Sequence, residues 1–116
     1  VEVVTPPEFD KGIAGHWSPE HLFTASVLSC FMTTFLAIAD YSKLEYEKFE
    51  CKAEGILESV EGKFLMTEII LKPIVYIKNQ EEIEKTERIL YKSEKACLIS
   101  NSINSKVVLD FKVRVI

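Results

Sequence analysis

The most reactive side chains in this sequence are three thiols, Cys30, Cys51 and Cys97. A thiolate is a strong nucleophile toward peroxides and disulfides. A second thiol within reach can condense with an oxidised first one before it advances to the sulfinic acid. No two of the three stand in a C-x-x-C arrangement, so neither the dithiol redox motif nor a paired zinc-ligand motif is present. An odd, low cysteine count without a secretion signal points to a reducing compartment, and a cytoplasmic protein is expected. His16 and His21 flank Glu20, but five residues apart they do not share a helical face, so loop or helix-end roles are expected and a metal site is not.

The elements that must position these groups follow from pattern and punctuation. The chain has 116 residues, which suits one domain over 1–116. Its 18 acidic and 14 basic residues leave a net charge of −4, which argues against nucleic acid or an anionic membrane as partner. No membrane-spanning segment is expected. The first residues, VEVVTPPEFD, carry no signal-peptide pattern and do not begin with Met, so a processed chain or a fragment lacking N-terminal strands is an open expectation. Val1, Val3 and Val4 suggest a short strand, which Pro6 and Pro7 stop.

Ser18 as N-cap, Pro19 at the first helical position and Glu20 in the first turn predict a helix from 19 to about 40. Its apolar residues, among them Leu22, Phe23, Val27, Phe31, Met32, Phe35 and Leu36, occupy every side, which predicts burial all round. One small chain cannot easily cover a helix about 30 Å long, so a partner subunit is expected over part of it. Segments 46–60 and 63–77 read as two long strands joined by Glu61 and Gly62, with Pro73 marking a bulge or an edge. A second helix is expected over 80–96, with Ile83, Ile89, Leu90 and Ala96 facing inward and a charged face outward. A last strand is expected over 107–116. On residues alone Cys30 and Cys97 also read as small buried hydrophobes, and Cys51 as strand packing.

Trp17-Ser18-Pro19-Glu20-His21-Leu22-Phe23, followed by Ala25 and Ser29-Cys30-Phe31, resembles the central helix of the OsmC/Ohr peroxidases (osmotically inducible protein C and organic hydroperoxide resistance protein). Ala96-Cys97-Leu98-Ile99-Ser100-Asn101-Ser102 is similar to the second-cysteine turn of that family. The order of elements agrees across nearly the whole chain. The resemblance implies an α+β fold with an antiparallel sheet, a long buried central helix and a second helix, in an intertwined homodimer. It implies a peroxiredoxin-type thiol peroxidase that reduces organic hydroperoxides without metal or cofactor and is reset by an external dithiol. Cys30 would attack the peroxide, Cys97 would resolve the sulfenic acid as a disulfide, and Glu20 would orient an arginine beside the thiolate.

Ten helical residues separate Glu20 from Cys30, about 15 Å of rise, so Glu20 must serve that site from a partner subunit or through an intermediary. The catalytic arginine of the family has no match here: Arg88 and Arg114 are the only arginines and both follow the central helix. Lys11 is the substitute cation to test, although it lacks the guanidinium fork. Two other readings therefore stay open, a non-catalytic dimeric binding module and a thiol redox sensor. An apolar pocket beside Cys30 would favour alkyl or lipid-like hydroperoxides over hydrogen peroxide.

Overall fold

The computed structural model describes residues 2–9 and 11–116. Helix α1 spans Pro19–Tyr41. Ser18 is extended, and its side-chain oxygen accepts a 3.2 Å hydrogen bond from the His21 amide, while Pro19 fills a position that needs no N–H. Val27, Phe31, Phe35 and Ala39, one residue in four, form its fully buried stripe. The other faces are more open: Leu22, Met32 and Leu36 are 39%, 39% and 41% exposed. One sheet and one short helix cover only one face of α1, which leaves the other faces to the expected partner subunit. By length and composition α1 is also apolar enough to cross a membrane, which the sequence reading did not expect. Here its stripe belongs to the protein core.

The hairpin is formed by β1, Lys48–Val60, and β2, Lys63–Ile77, paired antiparallel. Glu61 and Gly62 both take positive φ, 49° and 80°, the two-residue turn whose twist matches the flanking strands. The register shifts between Ile56 and Leu57, leaving Thr67 of β2 as the extra residue. The bulge is therefore here and not at Pro73. Gly55 precedes it, and a Cβ there would overlap the Thr24 hydroxyl and the Met66 methyl, so its bareness lets α1 lie close on the hairpin. Ile69, Leu71, Pro73, Val75 and Ile77 of β2 are buried in strict alternation.

Beyond β2, a 3-10 turn over Gln80–Glu82 leads into α2, Ile83–Ala96. The buried face of α2 is Thr86, Ile89, Leu90 and Ser93, and the two hydroxyls are satisfied by the Glu82 and Ile89 carbonyls at 2.7 and 2.6 Å. Ala96, expected inside, is exposed. The final segment is two strands, β3 over Lys106–Leu109 and β4 over Lys112–Val115, both parallel to β2. The sheet is thus mixed, correcting the antiparallel expectation. A helix between two strands returns the chain to the end where the first began, which makes the second parallel. The split also has a cause. The Leu71 and Ile77 carbonyls accept from Asp110 and Ile116 at 2.8 Å, so this side of β2 includes Pro73, which has no N–H for the ladder. In place of an N-terminal strand there is one isolated bridge between Val3 and Trp17, while Val1 lies outside the described residues.

Candidate thiol site

Cys30 directly precedes Phe31 of the buried stripe, which sets it at the margin of the core, half-buried. Cys97 is the C-cap of α2, where the backbone leaves the helix at φ −65° and ψ 112°, and it is fully buried. The turn that follows is tied down by its own hydrogen bonds. Asn101 and Ser102 amides donate to the Cys97 and Ile99 carbonyls at 3.1 and 3.0 Å, and the Ser102 hydroxyl donates to Leu98 at 2.8 Å. The Leu98 and Ile99 amides are left facing α1.

Those amides act on Cys30. Burial pushes its thiol pKa up, but hydrogen bonds from the Ile99 amide, the Cys97 thiol, the Thr34 hydroxyl and the Leu98 amide outweigh burial and hold it below the ordinary value of 9.0. Cys97 goes the other way: burial raises it, the Ser100 hydroxyl and amide oppose the rise, and the Cys30 sulfur adds to it. The proton therefore leaves Cys30 first, and Cys97 remains a thiol able to donate toward it. Both are free thiols, with no disulfide between them. No charged side chain among the described residues contributes to the shift at Cys30. The donors are dipoles aimed at an anion from a tight turn, the same physics as a backbone nest.

The other expected site residues lie elsewhere. Glu20 lines a cleft of about 730 Å³ with Trp17, Leu28, Ile56, Leu57 and Met66, and Cys30 is not on its wall. The Glu20 Oε2 atom is buried there without a hydrogen-bond partner. His21 borders the cleft and pairs with the Ser18 hydroxyl at 2.7 Å, with Trp17 edge-on to its ring. Trp17 is half exposed. Lys11 sits exposed in a left-handed conformation at φ 62°, and Asp10 lies outside the described residues. Cys51 is half-buried on β1, and burial pushes its thiol up to about 11 despite a hydrogen bond from the Lys72 amide. The donors around Cys30 escaped the sequence reading. Thr34, four residues on, had a legible signal in helical spacing; the Leu98 and Ile99 amides had none, because any residue type carries them.

Two free cysteines brought together by a long helix and the end of a crossover helix, on a mixed α+β sheet, define a two-thiol class of protein. Within that class, the sequence profile described as OsmC-like protein matches residues 11–112, and the chain belongs to the OsmC-like family. A Bacillus subtilis (strain 168) protein, YmaD, described as uncharacterized, is 28% identical over 113 residues, covering 95% of this chain and 75% of that protein. An OsmC-like protein of unknown function from Vibrio cholerae superposes with a TM-score of 0.78 at 26% identity, over 92% of this chain and 73% of the other. An organic hydroperoxide resistance protein OsmC from Legionella pneumophila does so with a TM-score of 0.76 at 27% identity, over 97% and 79%. The order of elements, two helices and a mixed sheet, is that of these structures.

Proposed function

We propose that this protein is a thiol-dependent peroxidase for organic hydroperoxides, with Cys30 as attacking thiolate and Cys97 as resolving thiol. The observation that carries the reading is the meeting of Cys97 with a Cys30 whose acidity is raised by the amides of Leu98 and Ile99. The Cys30 thiolate attacks the distal oxygen of R–O–O–H; the S–O bond forms as the O–O bond breaks, the departing alkoxide takes up one proton, and the products are R–OH and Cys30 sulfenic acid. The Cys97 thiol then attacks the sulfenic sulfur, forming the Cys30–Cys97 disulfide and releasing water. An external dithiol reduces that disulfide by two exchange steps and is itself oxidised to a disulfide. No metal or organic cofactor enters these steps. The name of the Legionella relative, with 27% identity over nearly all of this chain, supports the substrate class.

The reading includes a second copy of the chain. The open face of α1 and the exposed Val60, Phe64 and Leu65 at the hairpin tip are apolar surface that a homodimer would bury. In that assembly Glu20 would serve the partner's thiol site, since in its own chain it opens on a cleft that excludes Cys30. The test is peroxide consumption with cumene hydroperoxide and a dithiol. Cys30→Ser is expected to lose at least about 100-fold in rate, consistent with loss of a nucleophile, and Cys97→Ser to turn over once and stop. A parent protein that forms the disulfide without turning over would favour the redox-sensor reading. A Cys30→Ser form as fast as the parent would remove the peroxidase reading altogether.

A further inference from the structure

Glu20 stands in the first turn of α1, on the wall of the cleft of about 730 Å³. Small-molecule sites are commonly of that size. Much of the wall is apolar, with Trp17, Leu28, Leu57 and Met66. Its carboxylates are Glu8, Glu20 and Glu54, and no lysine or arginine joins them among the described residues. Glu54 is already matched by a 2.7 Å ion pair with Lys72. Glu20 is not. Its Oε2 atom is buried without a hydrogen-bond partner, and its carboxylate forms no ion pair among the described residues. His21 borders the same cleft, but its Nδ1 atom is taken by the Ser18 hydroxyl at 2.7 Å. The positive end of α1 favours the charge on Glu20 and still leaves the oxygen without a donor. Buried polar atoms in folded chains are nearly always paired. A carboxylate held partly out of water also attracts a cation more strongly than one in open solvent.

We propose that this cleft is a binding site for an amphipathic cation, a primary ammonium on an apolar chain, with Glu20 as its counter-ion. Trp17, Leu28, Leu57 and Met66 surround the chain. An ammonium suits the place better than a guanidinium. It is a compact point charge, and with Oε2 buried the carboxylate does not present both oxygens to a fork. The same carboxylates oppose an anionic head. The proposal goes beyond the peroxidase reading and does not need it, because Cys30 is not on the cleft wall.

Trp17 is the only tryptophan in the chain and lies half exposed on the cleft wall, so its fluorescence reports occupation directly. The experiment is a titration of the full chain at pH 7 with octylamine, octanol and octanoate. The three probes share an apolar chain and differ in the charge of the head; the amine is cationic at that pH, as a lysine is. Octylamine is expected to saturate the signal, octanol to bind at least about tenfold more weakly, and octanoate more weakly still, the scale of one charge-assisted hydrogen bond. Glu20→Gln keeps the shape and removes the charge; it should weaken octylamine by about tenfold and leave octanol unmoved. Leu57→Ala should weaken both. Glu84→Gln, on the exposed face of α2, should change neither. Should Glu20→Gln not fold, the three probes on the parent protein still decide. Equal affinity for octylamine and octanol overturns the proposal, as does a Glu20→Gln form that binds octylamine as tightly as the parent. A signal that octylamine does not saturate overturns it too, and is the result expected if a second copy of the chain fills the cleft. Peroxide consumption enters none of these readings, so the cleft and the peroxidase stand or fall separately.

Discussion

Cys30 and Cys51 are both half-buried thiols, and they titrate in opposite directions. Burial alone pushes each up. Cys51 lies on a strand whose amides are committed to the ladder, and the single amide of Lys72 does not compensate, so the thiol reaches about 11. Cys30 lies where a helix side meets the end of another helix, and there a turn has amides to spare. The comparison teaches that exposure does not set a thiol's reactivity. Uncommitted N–H and O–H donors do, and they are found at chain reversals rather than in strands.

The largest expected effect comes from the part both thiols share. Phe35 is fully buried one turn beyond Phe31 and stacks on Phe49 of β1, two residues from Cys51, with ring centroids 4.4 Å apart. Phe35→Ala should lower unfolding free energy by about 3–5 kcal/mol, and urea denaturation would show it. With opening that frequent, the two thiols should lose most of their difference in alkylation rate. A destabilised variant that retained the full difference would mean the donors persist without the core.

Next in size is the difference itself. At pH 8 a thiol at about 11 is ionised on the order of one part in a thousand, and one below 9.0 at least about one part in ten. Alkylation of Cys30 should therefore outrun that of Cys51 on the order of 100-fold in the native protein. Equal rates would sink the account of both shifts. The sign for stability also follows. An unfolded Cys51 ionises near 9.0 and the folded one near 11, so above pH 9 the unfolded state holds fewer protons and stability falls as pH rises through that window. Cys51→Ala should flatten that fall in urea midpoints measured from pH 8 to 11.

The smallest effect sharpens the comparison at one donor. Ile99 sits at φ −68°, which proline accepts, and its amide makes no backbone bond among the described residues. Ile99→Pro should slow alkylation of Cys30 at neutral pH by about tenfold and leave Cys51 unchanged, with an unaltered circular dichroism spectrum. A Cys30 rate equal to the parent's would take Ile99 out of the site.

Much of this was legible in the chain. Ser18 and Pro19 announce α1, Glu61 and Gly62 announce the hairpin, and the family likeness is what makes Cys30 and Cys97 the proposed pair. Local chemistry fixes each of these, and local chemistry is what a sequence displays. The mixed sheet was not legible, because strand direction depends on where α2 returns the chain, and the break between β3 and β4 answers a proline in a different strand. The open sides of α1 show what composition leaves out: it tells that a face is apolar and does not tell what covers it. At the site, the family likeness leads one to expect a lysine or arginine beside Cys30. The groups that fill that role here are two backbone amides and a threonine, and amides are silent in a sequence.

The crossover carrying Cys97 has a consequence for how the protein comes into being. The Cys97 thiol and the Leu98 and Ile99 amides that act on Cys30 lie beyond β2 and α2 in the sequence, and the turn that holds them is anchored on the far side by β3 pairing with β2. Such distant contacts form only after the intervening chain has closed, which makes them slow. A nascent or partly folded chain thus carries Cys30 without those donors, as an ordinary thiol. Its acidity arrives with the last strands, so in the proposed peroxidase the nucleophile and its resolving thiol would come together in the same folding step.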